Sequence, residues 1–348
     1  MPDVGRAERR AVGPGRVNLI GDHTDYNQGL ALPMAIGLGV TVRFTPSTDG
    51  YVAVTSTAFG AGPELAVDLP ADIAAVGRIE PAWARLIGAM MALSRPGVGG
   101  AVHIDATLPV GSGLSSSAAL SVALAEVFGA GGDPEAVAVL CQRAEHLAGV
   151  PVGAMDPLIC AGGRQGHALL IDFSTMASSQ IPVPEEAEIV VVDSGQPRTL
   201  RTSGYAARRA ECEAAAAVIG PLGRADGTDL ARLSDPVLRA RARHVVTECR
   251  RVLDFAEALS TGDLVEAGAL MTESHRSLAG DFAVSTSVVD SLVEDLAPRP
   301  GVLGARMTGA GFGGCVVALC RPGALDPTAL PTRAWRVQPA DGTVARRG

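Results

Sequence analysis

The sequence has no lysine, and all 29 of its basic Lys+Arg positions are arginine. That absence excludes a Walker-type phosphate-binding lysine, a Schiff-base lysine for pyridoxal chemistry and an SxxK acyl-transfer site. Any phosphate must therefore be met by backbone amides, hydroxyls, arginine and metal. Cys141, Cys160, Cys212, Cys249, Cys315 and Cys320 show no CxxC spacing, so neither a zinc site nor a disulfide framework is indicated, and they read as small core residues. No apolar run approaches the ~20 residues of a membrane helix. The first residues, with Asp3, Arg6, Glu8 and Arg9, hold no secretory apolar segment, so a cytoplasmic protein without a membrane partner is expected. Net charge is -8 with both signs interspersed, which gives no basic surplus for a nucleic-acid partner.

What is present is apolar content of 47% in 348 residues, enough for two ordinary domains. In the first half, VTVRF, YVAVTST, ELAVDL, AVHIDATL and HALLIDF read as strands. PAWARLIGAMMAL, SSAALSVALAEVF and PEAVAVLCQRAEHL read as helices. The second half runs strand (EIVVVDS), helix (Tyr205 to Ile219), then a long amphipathic helix with Asp235 as N-cap, Pro236 behind it and Gly262 beyond its end. Two shorter helices follow, one behind Asp263 and one ending before Pro298, and GARMT, CVVALC and RAWRVQ supply three strands. This order predicts an α+β domain with helices on one face of a largely antiparallel sheet. The Ser, Pro and Glu content of Ser174 to Glu186 marks the expected join, giving domains at 1–180 and 181–348.

Three stretches carry chemistry. GRVNLIGDHTDYNQG packs Arg16, Asp22, His23, Asp25 and Tyr26 into one run, a set suited to a small, hydroxyl-rich molecule. His23 and Asp25 form an HxD pair, but no third ligand cluster follows, so hydrogen bonding is favoured over metal binding. LPVGSGLSSSAAL sets Gly111, Ser112, Gly113, Leu114, Ser115, Ser116, Ser117 and Ala118 between a strand and a helix. Unpaired amides and the positive end of the helix dipole make an anion site there, with glycines admitting a bulky phosphate. The plainer alternative is serine N-capping. RMTGAGFGGCVVALC matches GxGxxG formally, but CVVALC reads as a strand where a dinucleotide fold needs a helix. A glycine hairpin, covering a ligand or not, is expected instead. Taken bare, Asp156 before Pro157 reads as a helix N-cap, Glu145 as edge solvation or a buried ligand, and Tyr205 and Trp83 as packing groups.

In this order and without lysine, these stretches resemble the galactokinases of the GHMP small-molecule kinase superfamily. The likeness runs from about Gly13 to Leu319 and also takes in GVPVGAMDPLICAGG, SGYAARRAECE and ESHRSLAGDFAVS. It implies an α+β, two-domain GHMP kinase fold: a mixed-sheet N-terminal domain like ribosomal protein S5 domain 2, a ferredoxin-like C-terminal domain, and the active site in the cleft between. The implied reaction is ATP-dependent phosphorylation of the anomeric hydroxyl of D-galactose. By position the resemblance implies Asp156 as base and Arg16 as its partner; Asp22, His23, Asp25, Gly153 and Tyr205 at the sugar; residues 111–118 and Trp83 at ATP; and Ser117 and Glu145 at Mg2+. ATP and galactose are the implied partners and a monomer the implied state. Three positions depart from the family pattern: Asp22 stands for glutamate, Pro157 for glutamine and Leu86 for tyrosine. The shorter Asp22 motivates a rival kinase reading for galactosamine, N-acetylgalactosamine or arabinose. A galactose- and ATP-binding regulator without turnover is the rival from another class, and the presence of Ser117, Ala118 and Ala119 argues against it.

Overall fold

The computed structural model describes residues 7–48, 52–56, 73–80, 83–95, 99–109, 113–149, 153–196 and 201–344, with the side chains of 201–203 outside that set. The first sheet is built from β1 (Arg9–Ile20), β2 (Leu30–Ser47), β3 (Val52–Ser56), β4 (Gly99–Ala106), β5 (His167–Asp172) and β6 (Ala177–Pro182). Its strand order is β3-β4-β2-β5-β6, with β1 also paired to β2. The sheet is mixed because β3 and β4 run parallel while the other pairs are antiparallel. Helices α1 (Ala84–Ser94), α2 (Ser116–Val127), α3 (Pro134–Leu147) and α4 (Met155–Gly162) complete this lobe. Helix α2 packs on β1 and β2 and is flanked by α1, α3 and α4. It is therefore apolar nearly all round, as a helix enclosed on every side must be. Gly13 makes this approach possible: a Cβ there would lie 1.8 Å from the carbonyl oxygen of Ala119.

The second sheet has order β10-β7-β9-β8, formed by β7 (Glu188–Asp193), β8 (Val302–Thr308), β9 (Cys315–Cys320) and β10 (Ala334–Val337), and is antiparallel throughout. Side chains alternate between two cores. Val190, Val192, Val316 and Ala318 join one cluster, while Ile189, Val191, Val317 and Leu319 join the other. Burial on both faces is why these strands read as continuous apolar runs. The accompanying helices are α5 (Arg201–Ile219), α6 (Gly227–Leu230), α7 (Pro236–Thr261), α8 (Leu264–Gly280) and α9 (Ser287–Leu296). Asp235 caps α7 with Pro236 at its first position, and Gly262 ends it in the left-handed region, as its sequence predicts.

The Ser174 to Glu186 stretch is not a bare linker. It contains β6, an exposed edge strand, so the expected division after residue 180 falls inside that strand, and the chain passes to the second sheet between Pro182 and Glu188. A polar edge strand offers no apolar alternation for a pattern to detect. VTVRF is only part of β2, which spans 18 residues and pairs with β1, β4 and β5 along its length. ELAVDL, the ends of YVAVTST and Pro81 lie outside the described residues. Beyond β10 the chain returns to the first lobe. There the amides of Gly342, Thr343 and Val344 donate to the carbonyls of Gly163, Cys160 and Ala161, satisfying the last turn of α4.

Candidate active site

Arg16, on β1, points its guanidinium at Asp156 in the first turn of α4. Nε donates to Oδ1 at 2.7 Å and Nη2 to Oδ2 at 2.6 Å, a two-bond fork that orients the carboxylate plane. Nη1 donates to the carbonyl of Gly113 at 2.7 Å, and the Arg16 amide donates to that of Leu114, so one arginine joins β1, α4 and the glycine turn. Burial works against the Arg16 charge, but Asp156 outweighs it and the pKa is raised. The Arg16 side chain is 7% exposed and that of Asp156 28%, so an incoming molecule meets the carboxylate and not the guanidinium. The bare reading of Asp156 as an N-cap is corrected here. The cap position is Ala154, with no side-chain capping bond, and Asp156 serves Arg16 and Ser115 instead.

Of the phosphate-turn residues, Gly111 and Ser112 lie outside the described set. Gly113 (φ 88) and Ser115 (φ 60) both take left-handed backbone conformations. For serine this is strained, of order 1–3 kcal/mol, and such strain clusters at functional sites. Ser115 holds the N-cap position of α2 but makes no side-chain cap bond; its hydroxyl donates to Asp156. Serine capping is thus displaced by a contact to the carboxylate. Leu114 and Ala118 are buried, Ser116 is half-buried and Ser117 is exposed in the first turn of α2. First-turn amides have no partner within their own helix, so this end of α2 presents donors and positive potential.

Glu145 is buried on α3, where Oε1 accepts from Ser121 at 3.3 Å. Ser121 sits one turn beyond Ser117, which places Glu145 on the side of α2 that carries that exposed hydroxyl. Among the described residues, no group of three or more His, Cys, Asp or Glu side chains is arranged to hold a metal alone. Trp83 stands at the start of α1, partly buried against the first core.

The turn after β1 brings together the other expected residues. Asp25 begins a short 3-10 turn, and a Cβ on Gly153 would sit 2.0 Å from its Oδ2, so glycine alone lets the carboxylate lie against the chain leading to α4. Burial, with Asp156 and Asp22 adding repulsion, pushes the Asp25 pKa up to about 6. His23 is buried with φ 65, and burial followed by repulsion from His244 lowers its pKa to about 3, leaving it neutral. Its Nδ1 is 2.9 Å from the Tyr26 hydroxyl, and its ring lies 5.9 Å from Tyr205 and 4.7 Å from Phe282. Asp22 is placed differently from an open ligand: its side chain is 3% exposed, Oδ2 accepts from Arg306 at 2.6 Å and Oδ1 from the Gly309 amide at 3.0 Å. The fully buried Arg306 was not singled out from the sequence, although one arginine inside the apolar strand GVLGARMTG was a signal. Phe282, which frames His23 together with Tyr26 of the same polar run, carries no signal in the sequence.

GAGFGG is a hairpin between β8 and β9, with Gly309, Gly311, Phe312, Gly313 and Gly314 at positive φ. A dinucleotide helix is absent there, as expected. The Phe312 ring packs against Gly204 of α5, and a Cβ built on Gly309 would come within 3.7 Å of the Gly113 carbonyl oxygen. The second lobe's hairpin therefore lies close to the first lobe's phosphate turn.

Three family models match the chain: a galactokinase galactose-binding signature at 3–46, the GHMP kinases N terminal domain at 83–164, and the GHMP kinases C terminal model at 255–329. The galactokinase of Homo sapiens is 40% identical over 347 residues, covering 95% of this chain and 87% of the relative. That of Chloroflexus aurantiacus is 42% identical over 331 residues, covering 89% and 83%. Among solved structures, Lactococcus lactis galactokinase complexed with galactose superposes with a TM-score of 0.87 at 29% identity, covering 97% of this chain and 95% of that one. A more remote likeness is to L. major mevalonate kinase in complex with R-mevalonate, with TM-score 0.70 at 20% identity over 98% of both chains, a likeness of fold.

Proposed function

Since the chain belongs to the galactokinase family of GHMP kinases, whose activity is the phosphorylation of galactose by ATP, we propose how its own residues carry out that transfer. The observation that carries the reading is the Arg16 fork on Asp156, set beside Ser115 at the open N-terminus of α2. In this reading the anomeric hydroxyl of galactose donates a hydrogen bond to Asp156, which the Arg16 fork holds correctly turned. As the bond from the γ-phosphorus to the β,γ-bridging oxygen breaks and the sugar oxygen bonds to phosphorus, Asp156 accepts the hydroxyl proton. ADP leaves with the electron pair. Because phosphoryl transfer passes through a loose transition state, orientation and charge stabilisation dominate over early proton removal.

The amides opening α2, with the hydroxyls of Ser116 and Ser117, would receive the ATP phosphates, and Trp83 would lie toward the base. Mg2+ fits the donors present: one buried carboxylate and one exposed hydroxyl, both hard oxygens, suit an ion that retains waters and binds phosphate. Ser117 and Glu145 would hold it, and its charge would offset that of the phosphates. His23, Asp25, Tyr205 and the Gly153 backbone would grip the sugar hydroxyls. No described helix is long and apolar enough to cross a membrane. A cytoplasmic monomer completes the proposal.

The direct test is ADP release by purified protein with Mg-ATP across galactose, galactosamine, N-acetylgalactosamine and arabinose. Galactose is expected to give the highest kcat/KM. A higher value for another sugar would reassign the substrate, and tight galactose and ATP binding with no ADP would favour the regulator.

A pH dependence follows from Asp25. Sugar hydroxyls donate to an ionised carboxylate, and the free enzyme holds this one protonated below about pH 6. The KM for galactose is therefore expected to rise as pH falls through 6, approaching roughly tenfold per pH unit, and to level off above 7. His23, already neutral far below that range, does not contribute. Asp25→Asn should flatten the profile; a wild-type KM constant from pH 5 to 8 would remove Asp25 from the sugar site.

A further inference from the structure

The ends of β1 and β8 are laced together where the two lobes meet. Arg306 donates through Nη1 to the carbonyls of Leu19 (3.0 Å) and Asn18 (3.4 Å), and through Nη2 to Asp22. The Thr308 hydroxyl donates to the Asn18 carbonyl at 2.9 Å and accepts from the Asn18 amide at 3.1 Å. The Gly309 amide then closes the seam on Asp22 Oδ1. Arg306 lies 3.8 Å from Glu248, which accepts from the Gly21 amide, Ser274 and Arg251. Around the turn, two carboxylates thus face two guanidiniums out of solvent.

Resting on the kinase reading above, we propose that Asp22 is not a sugar ligand but one half of a tie with Arg306. The tie sets the glycine hairpin against the phosphate turn and the sugar-recognition segment at once. Both carboxylate oxygens are engaged and the side chain is enclosed, so a sugar hydroxyl has no open face to meet. The Asp22 charge is required for another reason: Arg306 is wholly buried, and a buried guanidinium without its partner is strongly disfavoured. The consequence reaches the chemistry through one path of contacts. Asp22 holds Gly309, Gly309 lies near enough to Gly113 that a Cβ on it would meet the Gly113 carbonyl oxygen, and that carbonyl accepts from the same Arg16 that orients Asp156. Asp22 and Arg306 are positioning residues, acting on both substrates through the hairpin.

Asp22→Asn, Arg306→Gln and the double variant, assayed by steady-state kinetics with each substrate varied, distinguish the tie from a sugar contact. The tie predicts that each single variant lowers kcat/KM for galactose and for ATP by a similar factor, about tenfold to a hundredfold. It also predicts that the double variant is no worse than either, because members of one network are not additive. The proposal is overturned if Asp22→Asn raises the galactose KM tenfold more than Arg306→Gln does while leaving the ATP KM unchanged, since that is the signature of a lost ligand. Should these variants fail to fold, Thr308→Val opens the same seam without stranding a charge. A loss of about threefold or more in kcat/KM for both substrates would support the tie, and kinetics equal to wild type would refute it. Wild-type activity is measured first, so a protein inactive on galactose counts against the kinase reading and not against the tie.

Discussion

Asp156→Asn is expected to lower kcat for galactose phosphorylation by about 10²- to 10⁴-fold, the range usual for loss of a positioned general base. Asparagine keeps the shape and one acceptor for the Arg16 fork, but it cannot take a proton at neutral pH and presents an NH2 where the sugar hydroxyl would donate. The KM for ATP should change little, because the amides and hydroxyls at the start of α2 are untouched. Arg16 would lose its anionic partner while remaining buried, so a modest fall in melting temperature should accompany the change. Rapid-quench measurement of phosphoryl transfer, with a melt to establish folding, checks the claim. A folded variant within tenfold of wild type would show that Asp156 only orients the sugar, and would move the proton-accepting role elsewhere.

The second large effect is expected from Gly153→Ala. The added methyl would lie 2.0 Å from Asp25 Oδ2, far inside any tolerated contact, and Asp25 has too short a side chain to swing clear. Either the carboxylate leaves its place or the chain entering α4 shifts, and Asp156 is only three residues further on. A displacement near 1 Å at a reacting centre costs on the order of 10²-fold, so kcat/KM for galactose should fall by about that much while the ATP KM holds. The overpacking itself should cost about 1–3 kcal/mol of stability. Full activity in a folded Gly153→Ala protein would mean that the Asp25 carboxylate is not fixed by this contact, and would weaken its assignment to the sugar.

Where local chemistry decides the structure, the sequence was readable. The caps of α7 and the proline behind Asp235 were legible because capping is satisfied within a few residues, and the CVVALC strand was legible because β-branched runs bounded by Pro and Gly seldom do anything else. β6 was not legible, since an exposed polar edge strand has no apolar period and exists only by pairing with β5. Ser115 looked like a cap and stands at the cap position, yet its hydroxyl answers to a carboxylate forty-one residues away. Motif and resemblance named the candidate residues and implied the pairing of Arg16 with Asp156, but the contacts made by Ser115 and Asp22 had no local signal. Asp22 was placed at the sugar by resemblance, and nothing in GRVNLIGDH hints that an arginine in a distant strand pairs with its carboxylate.

By itself the sequence determined which chemistries were open to this protein. Without lysine, phosphate can be met only by amides, hydroxyls, arginine and metal, and the glycine and serine spacing supplies such a turn at a helix start. It also determined most of the helices, because their capping and periodicity are local properties of the chain. Only the tertiary structure decided how partners meet: the fork of Arg16 on Asp156, a pair the resemblance alone had implied, closes across 140 residues, and Arg306 takes Asp22 across 284. The physical reason is that a side chain's charge and reach are written in its identity, whereas the neighbour that answers it is chosen by how two lobes pack, a sum over many distant contacts that no short stretch contains.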